Sequence, residues 1–558
     1  MKKITLSLLA VVLAYSFTYA GGLVTNTNQS AAWARMFSRN ATTNIDAAYF
    51  NPAGLTKLKD GFHISISNQT IGQTKTIVTY MPGEVMQLNN NEYQGDVFAP
   101  VFPSIYAVYK TGRFAFSFGF NPIGGGGSAD FNNGLPSIDI PIASLVPVLH
   151  DYGARGYSAN VSFSGSSVYW GLQLGVSYAI NDHISVYLGG RYVMAKNTYT
   201  GFVKDVSIVK ADGTSERADS FMKGLGDQAK AGGDATKGAG DSMQGLMDNN
   251  LGGLTFDQAE AVGAIDAAQK AQLEGGLLQI GLTQEQIDAM TLEQAQNTYY
   301  TASQQYYSSA NSMYAGAALM GDQDADITQT GSGIAPIIGV NLSFLEDHLN
   351  IGLKYEFKTK MDLTNKTEPG KGFIIGLNPD GTPIEMFPDG AKTNADIPAL
   401  FSAGVDYRIG EKLLLSGSYT LYFDKGAGWA TSEKDGQTIN YIDNNSWELG
   451  LGVEYWFTKG FFASVGFDMT KSGVNDNYQD AFSYSLNTSS VAFGGGYKFN
   501  DTFTLNAGFY YVMYQDQTVD KTYDMWGQQM VPYSENYEKT TWGMAIGLDI
   551  SILSKKNK

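Results

Sequence analysis

From Gly61 onward the chain is written in period 2. In "RFAFSFGF", Phe114, Phe116, Phe118 and Phe120 share one parity while Ala115, Ser117 and Gly119 take the other. In "SWELGLGVEYWF", Trp447, Leu449, Leu451, Val453, Tyr455 and Phe457 oppose Glu448 and Glu454. The split recurs in "LNIGLKYEF", "FFASVGFDM", "VAFGGGYKF" and "TTWGMAIGLDISI", where Lys354, Glu356, Asp468, Lys498 and Asp549 stand opposite Ile351, Val465, Phe493 and Ile546. Successive side chains of a strand point to opposite faces, so these strands build one continuous apolar wall backed by a face of Gly, Ser and charge.

A soluble sandwich also alternates, so the connections must decide. Six short polar turns, "YKTGRF", "INDH", "LEDH", "IGEK", "FTKG" and "FNDT", alternate with seven long connections near 82–100, 122–156, 210–326, 368–395, 425–444, 473–486 and 515–537. They join fourteen strands, near 61–81, 101–110, 112–121, 157–180, 183–209, 327–345, 349–367, 396–409, 412–424, 445–458, 460–472, 487–500, 502–514 and 538–553. An even strand number, short turns at one rim and long loops at the other describe an outer-membrane barrel. Lipid cannot satisfy a sheet edge, so a sheet spans only by closing. The expected fold is all-β: a 14-stranded antiparallel transmembrane β-barrel. Trp447, Tyr455, Trp456, Trp542 and Tyr422 at strand ends suit interfacial girdles. A soluble sandwich or β-helix would need a layer covering the apolar wall, and no segment is long enough to supply one.

The start of the chain agrees with export. "MKKITLSLLAVVLAYSFTYA" has a basic start, an apolar stretch from Ile4 to Phe17 and small residues before a cut after Ala20, the pattern of a signal peptide over 1–20. Residues 21–60 then carry no strand pattern, and the barrel occupies 61–558. The chain has 65 Gly, 34 Tyr, 30 Phe and no Cys, so disulfides do not hold it together. Its formal charge of -17 disfavours nucleic acid as a partner.

Two stretches interrupt the pattern. Around 210–326, in the longest extracellular loop, Ala, Gly, Gln and Asp replace the aromatics, and Thr255, Thr283 and Thr291 precede Gln258, Gln286 and Gln294 at capping-box spacing. That predicts a helical insertion, with "GDQAKAGGDATKGAGDSMQG" as a flexible part of it. In the third strand, "FAFSFGFNPIGGGGSADF" runs from Phe120 into Asn121-Pro122 and then Gly124, Gly125, Gly126 and Gly127. Proline lacks the ladder donor and glycine weakens a strand, so pairing should fail there.

Catalysis finds little support. The four His, at 63, 150, 183 and 348, form no nucleophilic or metal set with other residues, and "IGGGGSADF" lacks the Lys-Ser/Thr of a phosphate loop. An enzyme is not expected, and no cofactor or metal is implied.

The non-sheet segment carries "SAAWARMF" and "AAYFNPAGL". Pro52 pushes Asn51 out of the helical region, and Gly54 would permit a left-handed turn, so the segment can double back. Trp33, Met36, Phe37 and Phe50 give it an apolar surface for packing or ligand contact. With Asn51-Pro52-Ala53-Gly54 before the first of fourteen strands, a helix-bearing loop after the fifth and "ADIPALFSAGVDYRI" at the eighth, the chain resembles the FadL/TodX outer-membrane transporter family. The resemblance implies an N-terminal hatch over 21–60 inside the barrel and an inward kink of the third strand that opens the wall sideways. It further implies uptake of a hydrophobic small molecule, most directly a long-chain fatty acid, by a monomer in the outer membrane of a Gram-negative bacterium, with exit into the outer-membrane lipid. A surface adhesion or binding protein anchored by its barrel is the alternative; a water-filled porin is disfavoured by the hatch. The basic tail after Leu553 departs from the terminal aromatic on which such barrels often end.

Overall fold

The computed structural model describes residues 30–83, 85–378, 382–434, 436–525 and 529–554; the signal peptide expected over 1–20 and the first hatch residues lie outside them. Fourteen wall strands follow in order: β1 Gly61–Tyr80, β2 Glu92–Thr111, β3 Phe114–Phe131, β4 Ala154–Ala179, β5 Ile184–Lys210, β6 Gln323–Phe344, β7 Leu349–Glu356, β8 Leu400–Ile409, β9 Leu413–Tyr422, β10 Trp447–Trp456, β11 Phe461–Lys471, β12 Thr488–Lys498, β13 Phe503–Tyr514 and β14 Gln529–Leu553. Each pairs antiparallel with the next. β14 returns to β1 from Gly61↔Leu553 to Tyr80↔Ser534, which closes the barrel.

Parity decides which side chain faces out. Leu451, Val465, Phe493 and Ile546 are 51%, 57%, 56% and 58% exposed, while Glu454, Ser464 and Asp468 are buried in the lumen. Tyr422 and Trp456, expected in the girdles, face inward instead. The Tyr422 hydroxyl donates to Glu448 at 3.2 Å and Trp456 Nε1 to Glu454 at 2.8 Å. Trp456 shares the parity of Glu454, and that overrides its place at a strand end. Among the described residues no helix is long and apolar enough to cross a membrane.

Several strands run further outward than the sequence suggests. β2 begins at Glu92, β3 continues to Phe131, and β14 starts at Gln529 in a hairpin with Gln517–Met525. Above the lipid a strand needs no apolar face, so hydrophobic alternation does not mark these extensions.

The insertion between β5 and β6 is more ordered than expected. "GDQAKAGGDATKGAGDSMQG" lies largely in a helix, Ala218–Ser242, packed antiparallel on Leu292–Leu319. Gly226, Gly233 and Gly240 recur every seven residues, and a Cβ on each would lie 2.7, 2.8 and 2.9 Å from the rings of Tyr314, Tyr307 and Tyr300. Those hydroxyls donate to Asp227, Asp234 and Asp241. Beyond this stalk, four helices, Gln244–Asp248, Phe256–Ala261, Ala267–Gln279 and Gln284–Ala289, enclose a small core around Phe256, Leu277, Ile287 and Leu292. The three expected capping boxes form, with a fourth at Asp266 and Gln269.

Candidate functional site: hatch, inner cavity and wall gap

Residues 30–58 fold inside the barrel. The end of the helix Ala31–Arg35 and the segment following it run against the wall backbone, and on β8, β11 and β13 the wall residue beneath them is glycine. A Cβ at Gly404 would stand 2.5 Å from the Asn40 carbonyl carbon, at Gly466 2.9 Å from Phe37 N and at Gly508 2.5 Å from Arg35 N. Only residues without a side chain allow so close an approach. On β9, Ser416 and Ser418 instead meet the Ser38 hydroxyl at 2.8 and 2.9 Å.

Buried charges fasten the hatch to the wall. Arg35 donates to Glu454 at 2.7 Å, to Ser464 at 2.9 Å and to Asn506 at 3.3 Å, and its guanidinium lies 4.7 Å from the Phe462 ring centre. Arg39 pairs with Asp46 inside the hatch at 2.7 Å. On the other side Arg191 pairs with Glu356 at 2.5 Å beneath the Tyr49 ring, and Lys354 donates to the Tyr49 carbonyl at 2.9 Å.

The Asn51-Pro52-Ala53-Gly54 stretch is the knot of this plug. Asn51 Nδ2 donates to the Thr42 carbonyl at 3.1 Å and to Asn341 on β6 at 2.7 Å. The carbonyls of Pro52 and Ala53 accept from Ser177 on β4 and Ser185 on β5. Gly54 is not left-handed. Its absent side chain makes room instead: a Cβ would sit 2.5 Å from Asn51 Nδ2 and 2.9 Å from the Thr42 carbonyl.

Above the hatch lies a cavity of about 430 Å³. Trp33 and Phe37 line it, in edge contact at 4.9 Å, with Tyr510 at 5.5 and 5.8 Å from them. Leu135, Phe482 and Tyr484, from the extracellular connections, line it as well. Met36 and Phe50, the other two apolar residues singled out in the hatch, do not line it. Met36 is fully buried against Gly452 and Gly466 of the wall, and Phe50 packs on Tyr49.

The cavity reaches a fault in the wall. β2 and β3 pair from Thr111↔Phe114 to Ile105↔Phe120 and again at Val97↔Ala129 and Asp96↔Asp130, but not between. Residues 98–104 and 121–128 therefore lack a ladder to each other. The expected failure of pairing thus falls on the β2 side alone. β3 stays paired with β4, through register shifts at Pro122/Gly124 and Gly125/Gly127. Gly125 has φ +86°, a value that suits glycine. Phe120 stacks on Trp170 at 5.1 Å, Asn121 is buried, and Val97, Phe102, Gly125 and Ala129 line the cavity beside the fault.

Sequence reading missed β2's part. Pro100 and Pro103 in "APVFPS" fall within the unpaired stretch and carry no N–H to donate. β1 compensates: Asn68 and Thr70 donate to the Pro100 carbonyl, and Asn68 Oδ1 accepts from Phe102 N. Among the described residues no group of His, Asp and Glu is arranged to hold a metal ion.

No family model and no curated protein matches the sequence. Solved structures do match in shape. A FadL homologue of Pseudomonas aeruginosa superposes with TM-score 0.52 at 14% identity, over 94% of this chain and 98% of that one. The toluene transporter TodX of P. putida gives TM-score 0.49 at 10% identity over 95% and 100%, and the toluene transporter TbuX of Ralstonia pickettii 0.45 at 14% over 94% and 99%. The first of these likenesses covers nearly all of both chains, and with it the closed fourteen-stranded barrel around an N-terminal hatch is a fold of the FadL type.

Proposed function

We propose that this chain is an outer-membrane transport protein for passive uptake of hydrophobic small molecules, long-chain fatty acids foremost. In this reading residues 1–20 direct export, residues 21–60 form the hatch, and the rest builds the barrel and its extracellular capture loops in the outer membrane of a Gram-negative cell. The observation that carries it is the inner cavity, which meets the unpaired stretch of β2 and β3. The ligand is collected by the loops 210–326 and 368–395, settles in the cavity and leaves sideways between β2 and β3 into lipid. Asn121 to Gly127 form the movable edge. The buried Arg35–Glu454 ion pair between hatch and wall and the Lys354 bond to the Tyr49 carbonyl favour this route over passage down through the plug.

Pro100→Thr/Pro103→Thr tests the route by returning ladder donors to β2. Binding of a fluorescent fatty acid should persist while its delivery into the cell falls. Unchanged delivery with intact binding would rule out lateral exit; lost binding would assign the prolines to the pocket. The helical head on its stalk supports a second reading, surface adhesion with the barrel as anchor. Lipid co-purified inside the barrel favours uptake, and a sealed lumen favours adhesion.

A further inference from the structure

The cavity is not uniformly apolar. Lys75 and Lys539 stand at directly opposed register positions of β1 and β14 and both line it. Like charges directly opposite each other are destabilising. Neither lysine has a carboxylate partner among the described residues; the Lys539 ammonium lies over the rings of Tyr484 and Tyr514, 4.7 and 5.3 Å from their centres. The same cavity is lined by Glu448 on β10 and Asp468 on β11. Asp468 is 7% exposed; among the described residues its Oδ1 accepts only from Thr470, at 3.4 Å, and its Oδ2 has no partner.

These groups follow one line of register partners across the wall. Glu448, Thr470, Thr488 and Tyr514 follow one another across β10 to β13, and the Lys539 ammonium sits over the last of them. Three to five strand spacings of about 4.8 Å separate the acidic from the basic pair, roughly 14–24 Å along the wall. A lumen holding two carboxylates and two ammoniums would ordinarily pair them, because an unpaired buried charge is costly. Here the poles are held apart, and the aromatic group of Trp33, Phe37 and Tyr510 lines the same cavity.

We infer that the cavity is a two-ended site for an amphipath that carries an anionic group for Lys75 and Lys539 and an ammonium group for Asp468 and Glu448, joined by an apolar chain lying over the aromatic residues. This rests on the reading of the cavity as the ligand pocket. A neutral hydrocarbon would leave both poles unanswered, and a simple carboxylate would answer one.

The test uses the full chain in lipid nanodiscs, with empty nanodiscs as blanks, and three probes of equal chain length: 12-aminododecanoate, dodecanoate and dodecylamine. Calorimetric titration should find 12-aminododecanoate bound at least about tenfold more tightly than either single-ended probe, as a charge-assisted contact at the second pole requires. Asp468→Asn should lower it to the affinity of dodecanoate and leave dodecanoate unchanged. Lys75→Gln/Lys539→Gln should lower it to that of dodecylamine. Equal affinity of 12-aminododecanoate and dodecanoate on the unmodified chain overturns the two-ended site while the cavity remains a ligand pocket. Binding by none of the three overturns the pocket reading as well.

Discussion

Arg35→Met should loosen the hatch without opening the barrel. The Arg35–Glu454 pair is 2.7 Å long, with side chains only 2% and 6% exposed, so water screens it little. Removing the guanidinium leaves Glu454 with one remaining donor, Trp456 Nε1, and an uncompensated charge in the lumen. Breaking a buried pair in this way costs about 3–5 kcal/mol. If that cost falls on hatch docking, amide exchange across residues 31–58 should quicken by about a hundredfold to a few thousandfold. The wall strands, held by their ladders everywhere but at the fault between β2 and β3, should keep their protection. Arg35→Met/Glu454→Gln should recover much of the loss, because the penalty lies in the orphaned carboxylate rather than in the missing bond. Hydrogen–deuterium exchange read by mass spectrometry on protein in nanodiscs resolves hatch from barrel. Unchanged hatch exchange in Arg35→Met, or a double variant as loose as the single one, would refute the argument and leave the glycine cradle as the fastening.

Two further outcomes concern the extracellular side. Burial pushes the Asp424 carboxyl up to about 6, against the lowering effect of its Ser446 contacts, in the connection after β9. A carboxyl raised on folding lends stability below its unfolded value, and that stability is lost as pH rises from about 4 through 6. Exchange protection over 424–446 should accordingly fall across that window, and Asp424→Asn should flatten the change. In the stalk, Gly233→Leu drives a side chain into the Tyr307 ring, an overpacking worth about 1–3 kcal/mol. It should raise exchange in 218–242 and 292–319 while the barrel melts as before, and an unaltered stalk would show that the two helices do not depend on their close approach.

How much of this could be read from the residues depends on which force sets each feature. Lipid punishes a misplaced polar side chain on every outward position, so the parity of Leu451, Val465 and Phe493 writes the barrel wall plainly. Above the membrane that pressure ends, and the outer parts of β2, β3 and β14 left no alternation to follow. The stalk shows a different failure. Its apolar content is thin, yet Gly226, Gly233 and Gly240 face Tyr314, Tyr307 and Tyr300 every seven residues, so the signal was a repeat of small against large rather than of apolar against polar. The Pro and Gly of β3 pointed to the wall fault because proline removes a donor wherever it stands. The partner prolines, Pro100 and Pro103, carry the same meaning, but Pro100 falls in the connection that the sequence places near 82–100 and Pro103 in the strand near 101–110. The cavity was the least legible feature. Lys75, Glu448, Asp468 and Lys539 come from four strands spread across the chain, and only the closure of β14 on β1 brings the two lysines side by side. A site whose members meet through barrel closure leaves no local spacing to read; its one trace in the sequence is charge on the lumen parity, which Glu448 and Asp468 display.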